Sequence, residues 1–344
     1  MSSLLKMPDD VMRKITELLD LESIQRLRKT CHDLRNFLED TQPDSKLQSI
    51  DIRLEVDQMH IFFCLGNNNI QVQQMENKDG CTINTFKENR KITKALKSED
   101  FMGIALKNFE NVLINQKSVM AYINVEYHYN SRSHNIVSKF SEELGSILKS
   151  RKQKLQVKRF HCIVIDQDQV LDVLPHLDSN SLRYMVIANV RGSSNKLEML
   201  EMGGITNMEF WKNLEMFTTK NFVVDAPIED FLHLRRVDVA VKVVTAEMVM
   251  AVKENFLHSS NMDFFELHFE KNNSEEKLVG LFGQPLREID GFWNHKQKWF
   301  FIIPNDNIHA HSLYIYQNCV YFSRVYLKDV PENAPLIDYE IEFE

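Results

Sequence analysis

Histidine and cysteine are the side chains here whose pairing would do chemistry, and they fall into few groupings. His161 and Cys162 are adjacent in the apolar run KRFHCIVID, which reads as a strand. Successive strand side chains point to opposite faces, so these two cannot form a nucleophile and base with each other. His309 and His311 share one strand face and have two-point chelate spacing, as do His128 and His134 across a loop. Neither pair has a carboxylate or thiolate companion at ligand spacing, so no metal and no cofactor are expected. Cys31, Cys64, Cys81, Cys162 and Cys319 are odd in number and form no C-x-x-C, which suggests neither a disulfide framework nor a zinc module. G-x-S-x-G, G-x-x-x-x-G-K, G-x-G-x-x-G and H-E-x-x-H are all missing from the sequence, and Met202-Gly203-Gly204 reads as a loop or helix stop. No catalytic residue is expected.

The other chemically suggestive feature is a run of cations. Lys149 and then Arg151, Lys152, Lys154, Lys158 and Arg159 crowd together in a chain of formal net charge -8. Arginine pairs bidentately with phosphate oxygens, so Arg151, Lys152, Lys154, Lys158 and Arg159 form a candidate patch for an anionic or phosphorylated partner. A solvated helix end followed by a strand edge, where lysine discourages edge pairing, is the stronger reading of the same residues. The net acidity argues against broad binding of nucleic acid or a membrane surface. No apolar stretch approaches the ~18 residues of a membrane span and no secretory signal opens the chain, so a place in the cytoplasm or nucleus is expected.

These residues need elements to position them. The 344 residues imply two or three compact units, and 43% hydrophobic with 26% charged residues is ordinary for a chain folded nearly throughout. Between Pro8 and Leu38 the pattern is helical: Val11, Met12, Ile15, Leu18 and Leu19 recur at helical spacing. Pro8 suits a first turn, and Asp9 and Asp10 suit the positive end of the helix dipole. After a break at residues 20–23, Ser23 is the expected cap of a second helix carrying Ile24 and Leu27. A third starts near Cys31 or His32 and turns Leu34, Phe37 and Leu38 inward. Three helices this short leave much apolar surface exposed, which implies a partner.

This stretch resembles the F-box, whose pattern opens Leu-Pro, continues through acidic and apolar helical residues and ends near a third helix of the Cys-x-x-Leu kind. Met7 stands where leucine is usual before Pro8, and Leu34 and Phe37 stand where a tryptophan is often found. A methionine for leucine keeps volume and apolarity. The resemblance implies docking on a Skp-type adaptor and through it a cullin, and it carries that role onto Met7, Pro8, Val11, Met12, Ile15, Leu18, Leu19, Ile24 and Leu27.

Beyond Gln42 the period changes. Ile50, Ile52, Leu54 and Val56, then Ile61, Phe63 and Leu65, then Ile70 and Val72 alternate as strands, with a hairpin turn at Gly66 to Asn69. Residues 99–113 return to a helical period. Further on, strand candidates start near Phe160, Tyr184, Leu214, Arg236 and Phe264, with helices expected over Val170 to Leu177, Leu197 to Met202 and Ala246 to Phe256. The intervals overlap the ~20 to 29 residue period of leucine-rich repeats. The expected fold is therefore mixed α+β and α/β: a three-helix F-box followed by a degenerate leucine-rich-repeat-like strand-helix solenoid. A plain α/β domain with crossovers of similar length is the alternative.

The blocks KLQVKRFHCIVID, VLDVLPHLDSNSLRYMVIANV and QKWFFIIPNDN resemble the FTH domain that follows the F-box in a large nematode family. The resulting division is F-box over 1–42, a linker hairpin and helix over 43–118, an FTH domain over 119–285 and C-terminal strands completing that region over 286–344. The resemblance implies a non-catalytic substrate adaptor of a Skp-cullin-F-box ubiquitin ligase that binds an unidentified protein target through the FTH region. A non-ligase F-box scaffold, including an RNA-regulatory one, is the alternative. Tyr339, Ile341 and Phe343 alternate with acidic residues in the tail, as in a frayed last strand or a partner peptide.

Overall fold

The structure is a computed structural model that describes residues 6–66, 68–87, 90–128, 134–190, 197–259, 261–290, 293–316 and 318–338. The tail alternation around Tyr339 lies outside the described residues. The chain forms two compact units, Met1–Leu182 and Arg183–Glu344.

The first unit begins with three short helices, α1 (Asp9–Leu18), α2 (Leu21–Arg28) and α3 (His32–Thr41). Pro8 sits at the N-cap of α1 with an extended ψ of 147°, and Asp9 and Asp10 fill the first turn. The cap of α2 is Asp20, whose carboxylate accepts from the Ser23 amide at 2.8 Å. Ser23 is thus the donor and not the cap, because the break after α1 is only two residues and the helix restarts earlier than the apolar period suggests. Cys31 precedes α3, which turns Leu34 and Leu38 into the core.

Strands β1 (Ser49–Leu54), β2 (Gln58–Leu65), β3 (Asn68–Asn77), β4 (Gly80–Lys87) and β5 (Arg90–Lys97) follow as an antiparallel meander. After α4 (Phe101–Leu113), β6 (Met120–Tyr127) lies parallel to β1, and α5 (His134–Lys149) carries the chain to β7 (Val157–Val164), parallel to β6. The sheet order is β5-β4-β3-β2-β1-β6-β7, so residues 43–118 supply much of this sheet together with α4. Strand β5 is a lysine-rich edge, the composition that deters further pairing. Asp100 caps α4 by accepting from the Met102 and Gly103 amides. Helix α4 then covers β2, β3 and β4 and packs on α5. Rings of Phe63, Phe109, Phe140 and Tyr127 join strand to helix to helix to strand at centroid separations of 6.0, 6.3 and 6.2 Å. The unit ends in a short α6 (Asp168–Leu171) and a 3-10 turn at Leu174–His176, where one longer helix was expected. Pro175 disfavours its continuation, since it has no N–H to donate and crowds the preceding Leu174.

The second unit opens with β8 (Tyr184–Asn189) and β9 (Glu198–Glu201), a short α7 (Gly203–Thr206), β10 (Met216–Asp225) and β11 (Arg236–Val244). It continues through α8 (Ala246–His258), β12 (Phe264–Asn272), α9 (Glu275–Phe282), β13 (Leu286–Asp290), β14 (Trp293–Ile302), β15 (His309–Tyr316), β16 (Cys319–Tyr326) and β17 (Leu336–Ile337). The helix expected over Leu197 to Met202 is instead β9, which continues the pairing of β8 along β10. Four to six apolar residues carry too little period to separate the two states. Strands β10, β11 and β12 are mutually parallel, after which β16, β15 and β14 continue the sheet antiparallel. Both β13 and β17 pair with β14. Crossovers differ in kind: a 3-10 turn at Ile228–Phe231 links β10 to β11, while the 13-residue α8, capped by Thr245, links β11 to β12. Phe217, Phe231 and Trp211 form one buried ring cluster, and Phe282, Trp299 and Phe301 another. The fold is thus mixed α/β, a mostly sheet body with an N-terminal helical segment. No helix among the described residues is long and apolar enough to cross a membrane.

Candidate docking surface

At about 100° per residue, Val11, Ile15 and Leu18 of α1 fall within about 60° of one another, and Met12, Thr16 and Leu19 occupy the adjoining sector. The fold buries one sector and leaves the other open. Met12 is 4% exposed and Thr16 is buried, its hydroxyl donating to the Arg13 carbonyl at 2.9 Å. Val11 is 38% and Leu18 84% exposed, and Ile15 and Leu19 are half-buried. Pro8 is exposed and Met7 half-buried, so the entry to the helix continues the open ridge. Ile24 is buried with Leu34 and Leu38, while Leu27 is half-buried.

Nine residues were expected to meet a partner, and Met12 and Ile24 among them are instead turned into the chain's own core. The helical period marks one apolar arc, and the fold buries part of it and leaves the rest exposed. The neighbouring helix α2 is held by side-chain contacts the sequence did not signal. Arg28 donates to Asn111 of α4 at 3.1 Å and to Glu39 of α3 at 2.8 Å. Glu22 pairs with Arg26 at 2.5 Å and with Lys87 of β4, and the Lys87 hydrogen bond, outweighing burial, holds its carboxyl below the usual range. These contacts tie α2 to α3, α4 and β4.

The basic run does not assemble as one patch. Arg151 is half-buried and donates to the carbonyls of Gln116 at 2.5 Å and Gln153 at 3.3 Å, so its guanidinium is engaged in holding the chain. Burial draws its pKa down, against the field of Asp44. Lys152, near Gln42 at 3.5 Å, and Lys117 line a cleft with Arg151 of about 370 Å3. Lys154 is exposed outside that cleft, and Lys158 and Arg159, successive in β7, point to opposite faces.

The histidine pairs also part company. His309 meets Asp306 at 3.0 Å and lies 5.0 Å from the Tyr326 ring, whereas His311 is enclosed beside Phe256 at 5.4 Å. Of the other pair, the side chain of His134 lies outside the described residues. Cys162 is buried in β7, and burial pushes its thiol up, the reverse of what activates a nucleophile.

The F-box domain model matches residues 4–46 and the FTH domain model residues 138–285. These two matches support a nematode F-box protein that carries an FTH domain. The FTH match runs across the division between the two units at Leu182. Among characterised proteins, the chain is 23% identical over 263 residues to F-box A protein 224 of Caenorhabditis elegans, which takes in 76% of this chain. It spans 65% of that relative's length. No solved structure matches the chain.

Proposed function

We propose that this protein is a substrate-recognition adaptor of a Skp-cullin-F-box ubiquitin ligase. The observation that carries the reading is the ridge of Pro8, Val11, Ile15 and Leu18, apolar yet left open by the fold of the segment that matches the F-box. In this reading a Skp-type adaptor covers the ridge, with Met7, Leu19 and Leu27 at its margin and Met12 and Ile24 supporting it from beneath. The FTH region binds a protein target. Catalysis belongs to the ubiquitin-loading enzyme brought by the cullin, and the adaptor supplies proximity, turning a bimolecular encounter into a local one. Such an assembly works in the cytoplasm or nucleus and needs no cofactor in this chain.

The finer architecture enters the same proposal. Parallel strands β10, β11 and β12 succeed one another in chain order, which supports reading the FTH region as a degenerate strand-helix repeat with a target face along its strands. The test is capture of purified Skp-type adaptor by the full chain and by its Ile15→Asp variant, followed by reconstitution with cullin and a ubiquitin-loading enzyme. Wild type binds and Ile15→Asp does not. Equal binding by both refutes the docking role, and binding without ubiquitin transfer to any co-purifying protein favours a non-ligase scaffold.

A further inference from the structure

Three strands of the second unit bring four metal-binding side chains to one place. Asp238 of β11 stands opposite Glu266 of β12 in the parallel pairing. His268, two residues along β12 and so on the same face, stands opposite Cys319 at the start of β16. The Nε2 of His268 lies 3.4 Å from Asp238 Oδ1 and 3.4 Å from Glu266 Oε1. The Sγ of Cys319 donates to Glu266 Oε1 at 3.4 Å. Donor atoms of Glu266, His268 and Cys319 all lie within 4.8 Å of one another.

Two features set this group apart from an ordinary ion pair. One imidazole nitrogen carries at most one proton, yet two carboxylate oxygens approach it, and the thiol turns to one of the same oxygens. A cation at the centre of Glu266, His268 and Cys319 would serve these three at once, and Asp238, 3.4 Å from the same imidazole nitrogen, is placed to turn in as the fourth ligand. The spacing also fits: with bonds of about 2.0–2.1 Å to nitrogen and oxygen and about 2.3 Å to sulfur, the edges of a tetrahedral zinc site are about 3.3 Å between nitrogen and oxygen and about 3.5 Å between sulfur and oxygen. The three measured separations are already close to those edges.

We propose that Asp238, Glu266, His268 and Cys319 form a tetrahedral zinc site. A thiolate with an imidazole selects zinc over calcium or magnesium, which take oxygen ligands. On binding, the Cys319 thiol gives its proton to water and its sulfur lone pair to the metal, and His268 binds through the Nε2 lone pair of the neutral ring. The Tyr316 hydroxyl, hydrogen-bonded to Cys319, is placed to steady the thiolate from outside the ligand set. Four protein ligands leave no open position, so the metal acts as a staple. It ties β11 to β12 and β12 to β16, the line along which the parallel half of this sheet meets the antiparallel half. The ligands are scattered over Asp238 to Cys319 with no C-x-x-C or H-x-x-H spacing, so a search along the sequence passes over them.

The test uses the full chain, stripped with chelator and titrated with zinc against a chromophoric chelator, then with cobalt(II) for its spectrum. One zinc is expected per chain, with an upward shift in Tm, a tetrahedral cobalt ligand-field spectrum and a thiolate-to-cobalt charge-transfer band. Cys319→Ser should abolish that band. His268→Gln and Asp238→Asn should each weaken zinc binding on the order of 100-fold, since even outer partners of metal ligands cost about 10- to 100-fold. Cys64→Ser, in the first unit, should leave the spectrum and affinity unchanged. Should Cys319→Ser fail to fold, the half-exposed His268 carries the test. The proposal is overturned if the chain loses zinc to the competitor without retaining one equivalent, if the cobalt complex lacks the thiolate band, or if His268→Gln and Asp238→Asn bind as wild type does.

Discussion

Leu18 offers the sharpest test of the docking surface, because the fold leaves it 84% exposed and so gives it almost nothing to do in the free chain. Burying a leucine side chain fully is worth about 1.5–3 kcal/mol relative to leaving it in water. If the partner covers the open fraction of Leu18, truncation to alanine forfeits most of that amount, about 1–2 kcal/mol after the retained Cβ is allowed for. At about 1.4 kcal/mol per tenfold, the Kd for the Skp-type adaptor should rise roughly five- to thirtyfold. Stability should move by less than about 0.5 kcal/mol, as for other exposed surface positions. Met12, one sector round the same helix and 4% exposed, should behave in the opposite way. Met12→Ala empties a core position and should cost about 2–5 kcal/mol of stability. Isothermal titration calorimetry with purified adaptor gives the first quantity, and chemical denaturation followed by circular dichroism gives the second. A Leu18→Ala chain that folds normally and binds with wild-type affinity would show that the ridge is not covered, and the argument from exposure would fail with it.

Other positions test the fold itself. His311 is fully buried, and burial and then the nearby Arg324 push its imidazole down to about 4. The unfolded chain takes up a proton near pH 6.5 that the folded chain refuses, so this contribution is fully present above about 6.5 and declines as pH falls toward 4, by about 2 kcal/mol between pH 7 and 5; denaturation of His311→Gln at the two values should show a smaller loss. Burial alone would raise the Asp44 carboxyl, but amides of Lys117, Lys46 and Ser118, donating at 2.9, 3.1 and 3.1 Å, hold it below the usual range. Its contribution is present above the ordinary carboxylate range and lost as pH falls through the lowered folded value, so Asp44→Ala should cost about 2–3 kcal/mol at pH 7 and flatten the acid limb of the stability curve. Gly145 of α5 lies so close to the next layer that an added Cβ would sit 2.6 Å from the Asp172 carbonyl oxygen. Gly145→Ala should therefore lower Tm, the overpacking of about 1–3 kcal/mol outweighing a gain of about 1 kcal/mol in helix propensity.

What the sequence disclosed follows the range over which each signal acts. The helical state of α1 and the length of α8 are local periodicities, and both survive folding. Short segments do not have that security: residues 197–202 read as a helix, and pairing with β10 makes them a strand instead. The allocation of the α1 arc between Met12, which the chain buries, and Leu18, which it leaves out, is a tertiary outcome that no local period encodes, just as α2 is held by Arg28 to Asn111 and Glu22 to Lys87, each joining residues more than sixty positions apart. The same limit explains the basic run. As a string Arg151 to Arg159 is a candidate anion patch and, more strongly, a solvated helix end with a strand edge, and in the fold Arg151 is drawn to Gln116, thirty-five residues earlier, while strand alternation parts Lys158 from Arg159. It also explains why the cluster of Asp238, Glu266, His268 and Cys319 left no trace, since strand register across β11, β12 and β16 brings those four together and no spacing along the chain encodes it. Function in such a protein is therefore read most safely where a local pattern and the fold disagree about exposure, and Leu18, apolar by pattern and solvent-facing in the fold, is where they disagree most.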